Sequence, residues 1–151
     1  MNGPRLLLGG FAAGLLLLAT GVGLGHGLLG ADYVRAFASH RAHPANLFTV
    51  LENTSLRLAY GFLAVFIYAA IRPRFGAGPR TALIAAAVLW LAAFLPRQLL
   101  LSEFGILHGG QLALSLGWSI AEVILATLLG AAIYRERSPA LAGAAVPERV
   151  V

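Results

Sequence analysis

The sequence predicts an all-α integral membrane protein, an antiparallel bundle of four transmembrane helices. The 151 residues are 59% hydrophobic and only 11% charged, whereas a soluble domain is about a quarter charged. The mean hydropathy of the chain is +0.82. The apolar residues gather in four runs, each long enough to cross roughly 30 Å of hydrocarbon as a helix. Helices are expected because backbone groups in lipid must bond within their own segment.

The four predicted spans cover about residues 5–29, 46–71, 80–101 and 111–134. The first resembles a signal peptide, but it is longer than an ordinary apolar signal region, so we interpret it as the first transmembrane helix. Pro73 is predicted to stop the second helix, with Gly76 and Gly78 shaping a tight turn. Residues 1–137 form the single predicted domain, and residues 138–151 form a flexible cytoplasmic tail.

The arginines predict the orientation of the bundle, because cytoplasmic loops carry an excess of basic residues. With the N-terminus inside, the inner side carries Arg5, Arg72, Arg74, Arg80, Arg135, Arg137 and Arg149, and the outer side carries Arg35, Arg41, Arg57 and Arg97. Both termini are therefore predicted in the cytoplasm. Nucleic acid is excluded as a partner because the basic residues form no patch, and the lipid bilayer is the expected partner.

The link between the first two spans predicts a short helix at the membrane interface. Asp32 could cap this helix, and Tyr33, Val34 and Phe37 would share one face. That apolar face would lie along the outer surface of the bilayer.

Two segments carry a family resemblance. Residues 68–96, "YAAIRPRFGAGPRTALIAAAVLWLAAFLP", and residues 118–136, "WSIAEVILATLLGAAIYRE", resemble a family of small four-helix bacterial inner-membrane proteins of uncharacterised function. The resemblance implies the four-helix fold and a bacterial source. It supplies no catalytic residue.

Residues 41–53, "RAHPANLFTVLEN", resemble a motif of the membrane-associated eicosanoid and glutathione enzymes, which are also four-helix proteins. Arg41, Ala42, His43, Asn46, Glu52 and Asn53 follow the order of that motif. Glu52 follows Asn46 at an offset of six positions, a wider spacing than in that family. The two side chains therefore fall on different helical faces. The predicted outer location of this segment also differs from the cytoplasmic glutathione site of the family. Both departures argue against a shared function.

Arg57 and Glu122 are the ionisable residues placed deepest in the predicted spans. Glu122 lies 13 residues from Arg135, and Arg57 lies 15 residues from Arg72, so both are about 20 Å from the inner boundary. A charge at this depth costs several kcal/mol unless it is paired or hydrated. We therefore predict an ion pair between the second and fourth spans, in which the guanidinium fork could bind the carboxylate bidentately. The pair has two interpretations, a structural contact that fixes the helices and a proton or ligand site.

Small residues suggest how the helices pack. One face of the fourth span carries a small or polar stripe, Ser115, Ser119, Glu122, Ala126 and Gly130. The opposite face, with Leu116, Ile120, Val123, Ile124 and Leu128, is predicted to contact lipid. The first span carries Gly10, Gly14, Gly21 and Gly25, which would permit close approach of another helix.

A second polar layer is predicted near the outer side of the bundle. It includes His26, Glu52, Asn53, Arg97, Glu103 and His108, with Gln98 next to Arg97. These residues could line a polar mouth or simply face water and lipid headgroups. Although His and Glu are zinc ligands, no two of them share a tight ligand spacing on one helix. We therefore expect neither a metal nor a cofactor.

The sequence favours a non-enzymatic function. It contains no Cys, which excludes disulfides, thiolate catalysis and Cys-ligated metal, and it shows no nucleophile motif. The first hypothesis is an accessory or small-ligand-binding membrane protein organised around the Arg57–Glu122 pair. The alternatives are an enzyme or transporter handling a small lipophilic molecule in an outward-facing cavity, and a subunit of a larger membrane complex. Small-residue faces would support a homo-oligomer or such a complex.

Overall fold

The computed structural model of the protein describes residues 2–40 and 46–134, which form five helices and no strand. We label the helices α1 (Gly3–Leu28), α2 (Gly30–Ser39), α3 (Leu47–Phe75), α4 (Pro79–Glu103) and α5 (Gly110–Ile133). Four of them, all except α2, are long and apolar enough to cross a membrane. The predicted all-α fold with four long helices is confirmed. The predicted cytoplasmic tail lies outside the described residues, and the orientation stays a prediction.

The four long helices close into an up-and-down bundle. Helix α1 packs mainly against α3 and α5, and α4 packs against the same two helices from the other side. Helices α3 and α5 also touch across the bundle. Two polar side chains on α3 and α5 can therefore meet directly in the interior, with α1 beside them.

The bundle has an apolar exterior and a core of small and polar side chains. Leu7, Leu8, Phe66, Leu91 and Leu125 are each at least half exposed. The interior instead contains Ala13, Ala64, Ala82, Ala85, Ala86 and Ala126, together with the buried polar residues Thr81, Gln98, Ser115, Ser119, Glu122 and Thr127. Soluble monomers seldom expose apolar surface so continuously. This arrangement is typical of a bundle surrounded by lipid and held by close packing of small residues.

Glycines bring α1 into backbone contact with its neighbours. A Cβ added at Gly61 of α3 would lie 2.2 Å from the amide nitrogen of Gly14, and one added at Gly9 would lie 2.7 Å from the carbonyl oxygen of Gly130 on α5. A Cβ at Gly10 would overlap Phe62. The predicted close approach at the glycine face of α1 is therefore confirmed. The helices that approach α1 there are its neighbours within the same bundle.

The turn between α3 and α4 differs from the prediction in one respect. Pro73 lies within α3, which continues to Phe75 and ends at Gly76 with a φ of 84°, so the expectation that Pro73 stops the helix is wrong. The missing N–H and the ring of one proline are tolerated near the end of a long helix, where few intrahelical bonds remain to be lost. The positive φ of Gly76 then reverses the chain, and Thr81 Oγ1 donates to the Gly76 carbonyl at 2.7 Å.

Two of the long helices contain π-helical turns. Residues Trp90–Phe94 of α4 are π-helical and end two positions before Pro96. Because proline cannot donate to the carbonyl four residues earlier, the wider turn accommodates it without breaking the helix. The last turns of α1, Gly23–Leu28, are also π-helical and contain His26.

The predicted short helix after α1 is present as α2. Tyr33, Val34 and Phe37 are half-buried on one face, as expected, and the rings of Tyr33 and Phe37 are 5.9 Å apart. Asp32 does not cap the helix, because the N-cap position is Leu29. Asp32 instead forms an exposed ion pair with Arg35. The location of α2 at a membrane interface stays a prediction.

Candidate functional site

Arg57 and Glu122 form a direct ion pair inside the bundle. Arg57 Nη1 donates to Glu122 Oε1 at 3.0 Å. The Glu122 side chain is 3% exposed and the Arg57 side chain 14%. The predicted contact between the two helices is therefore present, and matching the depths of the two charges was sufficient to find it. The role of the pair is a separate question.

The buried face of α5 carries Glu122 into the interior. Ser115, Ser119, Glu122, Ala126 and Gly130 are all buried, so the predicted stripe is confirmed as the inward face of this helix. The predicted lipid face was wrong at Val123, which is 1% exposed, and Ile124 and Leu128 of that face are half-buried against the core. Helix α5 contacts three other long helices, and its inward face is therefore wider than a single stripe. The exposed face centres on Leu114, Leu125 and Leu129.

Helix α1 supplies the remaining partners of the pair, which the sequence did not predict. Thr20 Oγ1 lies 2.9 Å from Glu122 Oε2, and Arg57 Nη1 also donates to the Leu17 carbonyl at 3.1 Å. Thr20 Oγ1 is also 2.8 Å from the Leu16 carbonyl. In the sequence, Thr20 is a lone hydroxyl in an apolar run, and bonding to its own helix would account for it.

Gly21 makes the approach of Arg57 to α1 sterically feasible. A Cβ added at Gly21 would lie 2.3 Å from Arg57 Nη2. The sequence placed Gly21 in a face for helix packing, but its neighbour in the structure is the guanidinium group. The same helical turn therefore contributes a hydroxyl, a carbonyl and the space for the cation.

The pair is joined by one hydrogen bond instead of the bidentate fork that was expected. Nη1 donates both to the Glu122 carboxylate and to the Leu17 carbonyl. Sharing this nitrogen with a backbone acceptor on α1 turns the guanidinium away from a parallel alignment with the carboxylate. As a result, the contact connects three helices instead of two.

Aromatic residues close the bundle around the same level. Trp90 Nε1 donates to Ser119 Oγ at 2.9 Å, less than one helical turn from Glu122. The rings of Tyr60 and Phe94 lie 5.2 Å apart between α3 and α4. These contacts connect α4 to the helices that carry the ion pair, so all four long helices meet near this level.

Six residues of the predicted outer polar layer do not form a cluster. His26, Glu52, Asn53, Glu103 and His108 are exposed and Arg97 is half-buried. No hydrogen bond or ion pair joins two of these six residues, and no group of three or more His, Asp or Glu side chains in the described ranges could hold a metal. Each side chain projects from the bundle on its own.

The segment that resembles the glutathione enzymes is described only from Asn46 onward, because Arg41 and His43 lie outside the described residues. Asn46 is the N-cap of α3 and forms a capping box with Thr49. Its side chain therefore has a structural role at the start of the helix.

A cavity of about 210 Å³ lies near the turn between α3 and α4. It is lined by Tyr68, Gly78, Pro79, Ala82, Leu128, Ala131 and Ala132. Tyr68 follows Arg57 by 11 residues on α3, a distance of about 16 Å along the helix axis. The cavity is therefore separate from the ion pair.

Comparison of the chain with protein-family models, with curated proteins and with solved structures found no match.

Proposed function

We propose that this chain is a small, non-enzymatic, multi-pass protein of a bacterial inner membrane, with an accessory or small-ligand-binding role. In this proposal, Arg57, Glu122 and Thr20 hold α1, α3 and α5 at fixed positions. The main supporting observation is the enclosure of the Glu122 carboxylate, which is 3% exposed with both oxygens in contact with neighbouring side chains.

The geometry around Glu122 favours the structural interpretation of the pair. A proton-handling or ligand-binding carboxylate needs an approach for its substrate. Here Arg57 occupies one oxygen and Thr20 lies against the other. The cavity near the α3–α4 turn is lined by neither of the two charged residues.

The cavity near the α3–α4 turn is a better candidate for a ligand-binding site than the ion pair. The cavity is lined mostly by apolar groups, with the Tyr68 hydroxyl accepting from the Gly78 amide at 3.3 Å. With the N-terminus inside, this end would face the cytoplasm. The enzyme or transporter hypothesis requires an outward-facing cavity, whereas this cavity lies at the end that is predicted to face inward.

Association with a second copy or with a larger membrane complex remains part of the proposal. The glycine face of α1 is not available for it, because Gly10 and Gly14 pack against α3. Native mass spectrometry from detergent would measure the stoichiometry. If the protein is a monomer, an accessory role would depend on its contacts with other proteins or with lipid.

The proposal is tested by the thermal shift that a panel of small lipophilic molecules induces in three proteins. These are the wild type, Glu122→Gln and Ala132→Leu, which narrows the cavity. We expect Glu122→Gln to melt at a lower temperature yet keep any ligand-induced shift, and Ala132→Leu to lose that shift. A ligand response lost only in Glu122→Gln would make the ion pair the binding site and contradict the proposal.

A further inference from the structure

Three buried polar atoms on α4 and α5 have no hydrogen-bond partner among the described residues. They are Oε1 of Gln98, Oε1 of Gln111 and Nε1 of Trp118. Gln98 is 3% exposed and lies near the end of α4. Gln111 and Trp118 are half-buried in the first half of α5. We call these three residues the polar niche. Gln98 was predicted to lie in the outer polar layer, but it is buried, unlike the other members of that layer.

The antiparallel packing of α4 and α5 places the two glutamines at one level. Trp90 bonds to Ser119 across these helices. Gln98 is eight residues after Trp90, and Gln111 is eight residues before Ser119, so both lie about 12 Å from that bond along the bundle. Their amide groups nevertheless form no direct hydrogen bond, and both unpartnered atoms are acceptors.

Trp118 belongs to the same face of α5. It follows Gln111 by seven residues, or about two helical turns, and both side chains therefore point to the same side. The indole packs against a cluster of Leu24, Leu29 and Leu107. Its Nε1–H is a donor without an acceptor, which complements the two amide oxygens.

The linker between α4 and α5 covers this end of the bundle with apolar side chains. Ile106 and Leu107 are 4% and 0% exposed, and their amides donate to the Leu101 carbonyl at 2.9 and 3.1 Å. The polar niche therefore lies beneath an apolar cover.

Leaving these three groups without partners would be costly. Each buried polar group without a hydrogen bond costs about 1–3 kcal/mol, and folded proteins are stable by only about 5–15 kcal/mol. An occupant must donate to two amide oxygens and accept from one indole N–H. Water has both capacities, and buried water characteristically binds to polar groups that lack other partners.

We propose that the polar niche is an internal hydration site, in which bound water connects the Gln98 and Gln111 oxygens to the Trp118 indole. The α-carbons of Gln111 and Trp118 are separated by about 10 Å along the helix, so a short chain of water molecules is needed. Water at this site stabilises the contact between α4 and α5 near the linker.

The two tryptophans of the chain provide a matched test by fluorescence in lipid nanodiscs. Trp90→Phe leaves only Trp118, and Trp118→Phe leaves only Trp90, whose indole N–H is bonded to Ser119. We expect Trp118 to emit at a longer wavelength than Trp90 and to show the larger lifetime increase in D2O. The double variant Trp90→Phe/Gln111→Met should reduce both effects. A Trp118 lifetime no more sensitive to D2O than that of Trp90 would overturn the proposal.

Thermal unfolding of Gln98→Met gives an independent test, because methionine has nearly the shape of glutamine without its polar atoms. If water occupies the site, the substitution removes one of its acceptors and lowers the melting temperature relative to Leu100→Met, an exposed control on the same helix. If the site is dry, the substitution removes an unpartnered oxygen and raises the melting temperature, which would overturn the proposal.

Discussion

At the scale of single residues, the Arg57 guanidinium depends on a space that only glycine provides. Its Nη1 contacts Glu122 and the Leu17 carbonyl, and its Nη2 lies against the α-carbon side of Gly21. A side chain at position 21 would compete with the cation for this volume. An alanine at position 21 would therefore force the guanidinium end of Arg57 to shift and would alter the geometry of the ion pair.

Gly21→Ala is expected to destabilise the bundle by about 1–3 kcal/mol, because the guanidinium must shift and its hydrogen bonds to Glu122 and the Leu17 carbonyl weaken. Detergent-driven unfolding followed by circular dichroism measures this effect. Gly23→Ala is the matched control, since a Cβ there meets nothing within 4 Å. Equal stability of the two variants would show that the guanidinium does not need the space at Gly21.

At the scale of helices, α1 and α3 are held at backbone contact by Gly10, Gly14 and Gly61. Close approach lets many weak contacts form along both helices, and it also brings Thr20 and the Leu17 carbonyl within reach of Arg57 and Glu122. Packing and the polar site are therefore coupled, since separating α1 from α3 would also remove α1 from the ion pair.

Gly61→Ala is expected to cost about 2–4 kcal/mol, because its Cβ would lie 2.2 Å from the Gly14 nitrogen and only a backbone shift could relieve this overlap. The same unfolding measurement applies. Gly117→Ala on the exposed face of α5, where a Cβ meets nothing within 4 Å, should be neutral or slightly stabilising because alanine favours helices. A Gly61→Ala variant as stable as Gly117→Ala would contradict the close contact of α1 with α3.

At the scale of the whole molecule, the bundle exposes many large apolar side chains and buries several polar ones. Large apolar residues cover the exterior of the described helices, and the polar residues of α5 point inward. The excess of arginine at one end predicts that the α3–α4 turn is cytoplasmic. The 210 Å³ cavity and the polar niche then lie at opposite ends of the bundle.

The absence of cysteine makes the orientation measurable with single-cysteine variants in spheroplasts. Phe75→Cys at the end of α3 and His108→Cys before α5 occupy exposed positions at opposite ends. We expect a membrane-impermeant maleimide to label His108→Cys and to label Phe75→Cys only after lysis. The reverse pattern would invert the predicted topology, while the packing within the bundle would be unaffected.

The sequence predicted the four helices and the Arg57–Glu122 contact because both depend on simple quantities. Span length and residue depth follow from the helical rise alone. Thr20, the Leu17 carbonyl and Gly21 could not be predicted in the same way, because they depend on how α1 is rotated and how close it approaches. Pro73 was misinterpreted as a stop because position within a helix decides how much a proline costs. Gln98 was assigned to the outer polar layer, and its burial could not be predicted because glutamines near helix ends are ordinarily hydrated.

The central claim, that Arg57 and Glu122 stabilise the bundle by pairing with each other, is tested most directly by a double-mutant cycle of Arg57→Met and Glu122→Met. Each single variant leaves one buried charge without its partner, and should lose about 3–5 kcal/mol of unfolding free energy. The double variant leaves no buried charge, and is predicted to lose less than the sum of the two single losses by at least about 1 kcal/mol. Additive losses within about 0.5 kcal/mol would contradict the claim, because they would show that the two residues act independently.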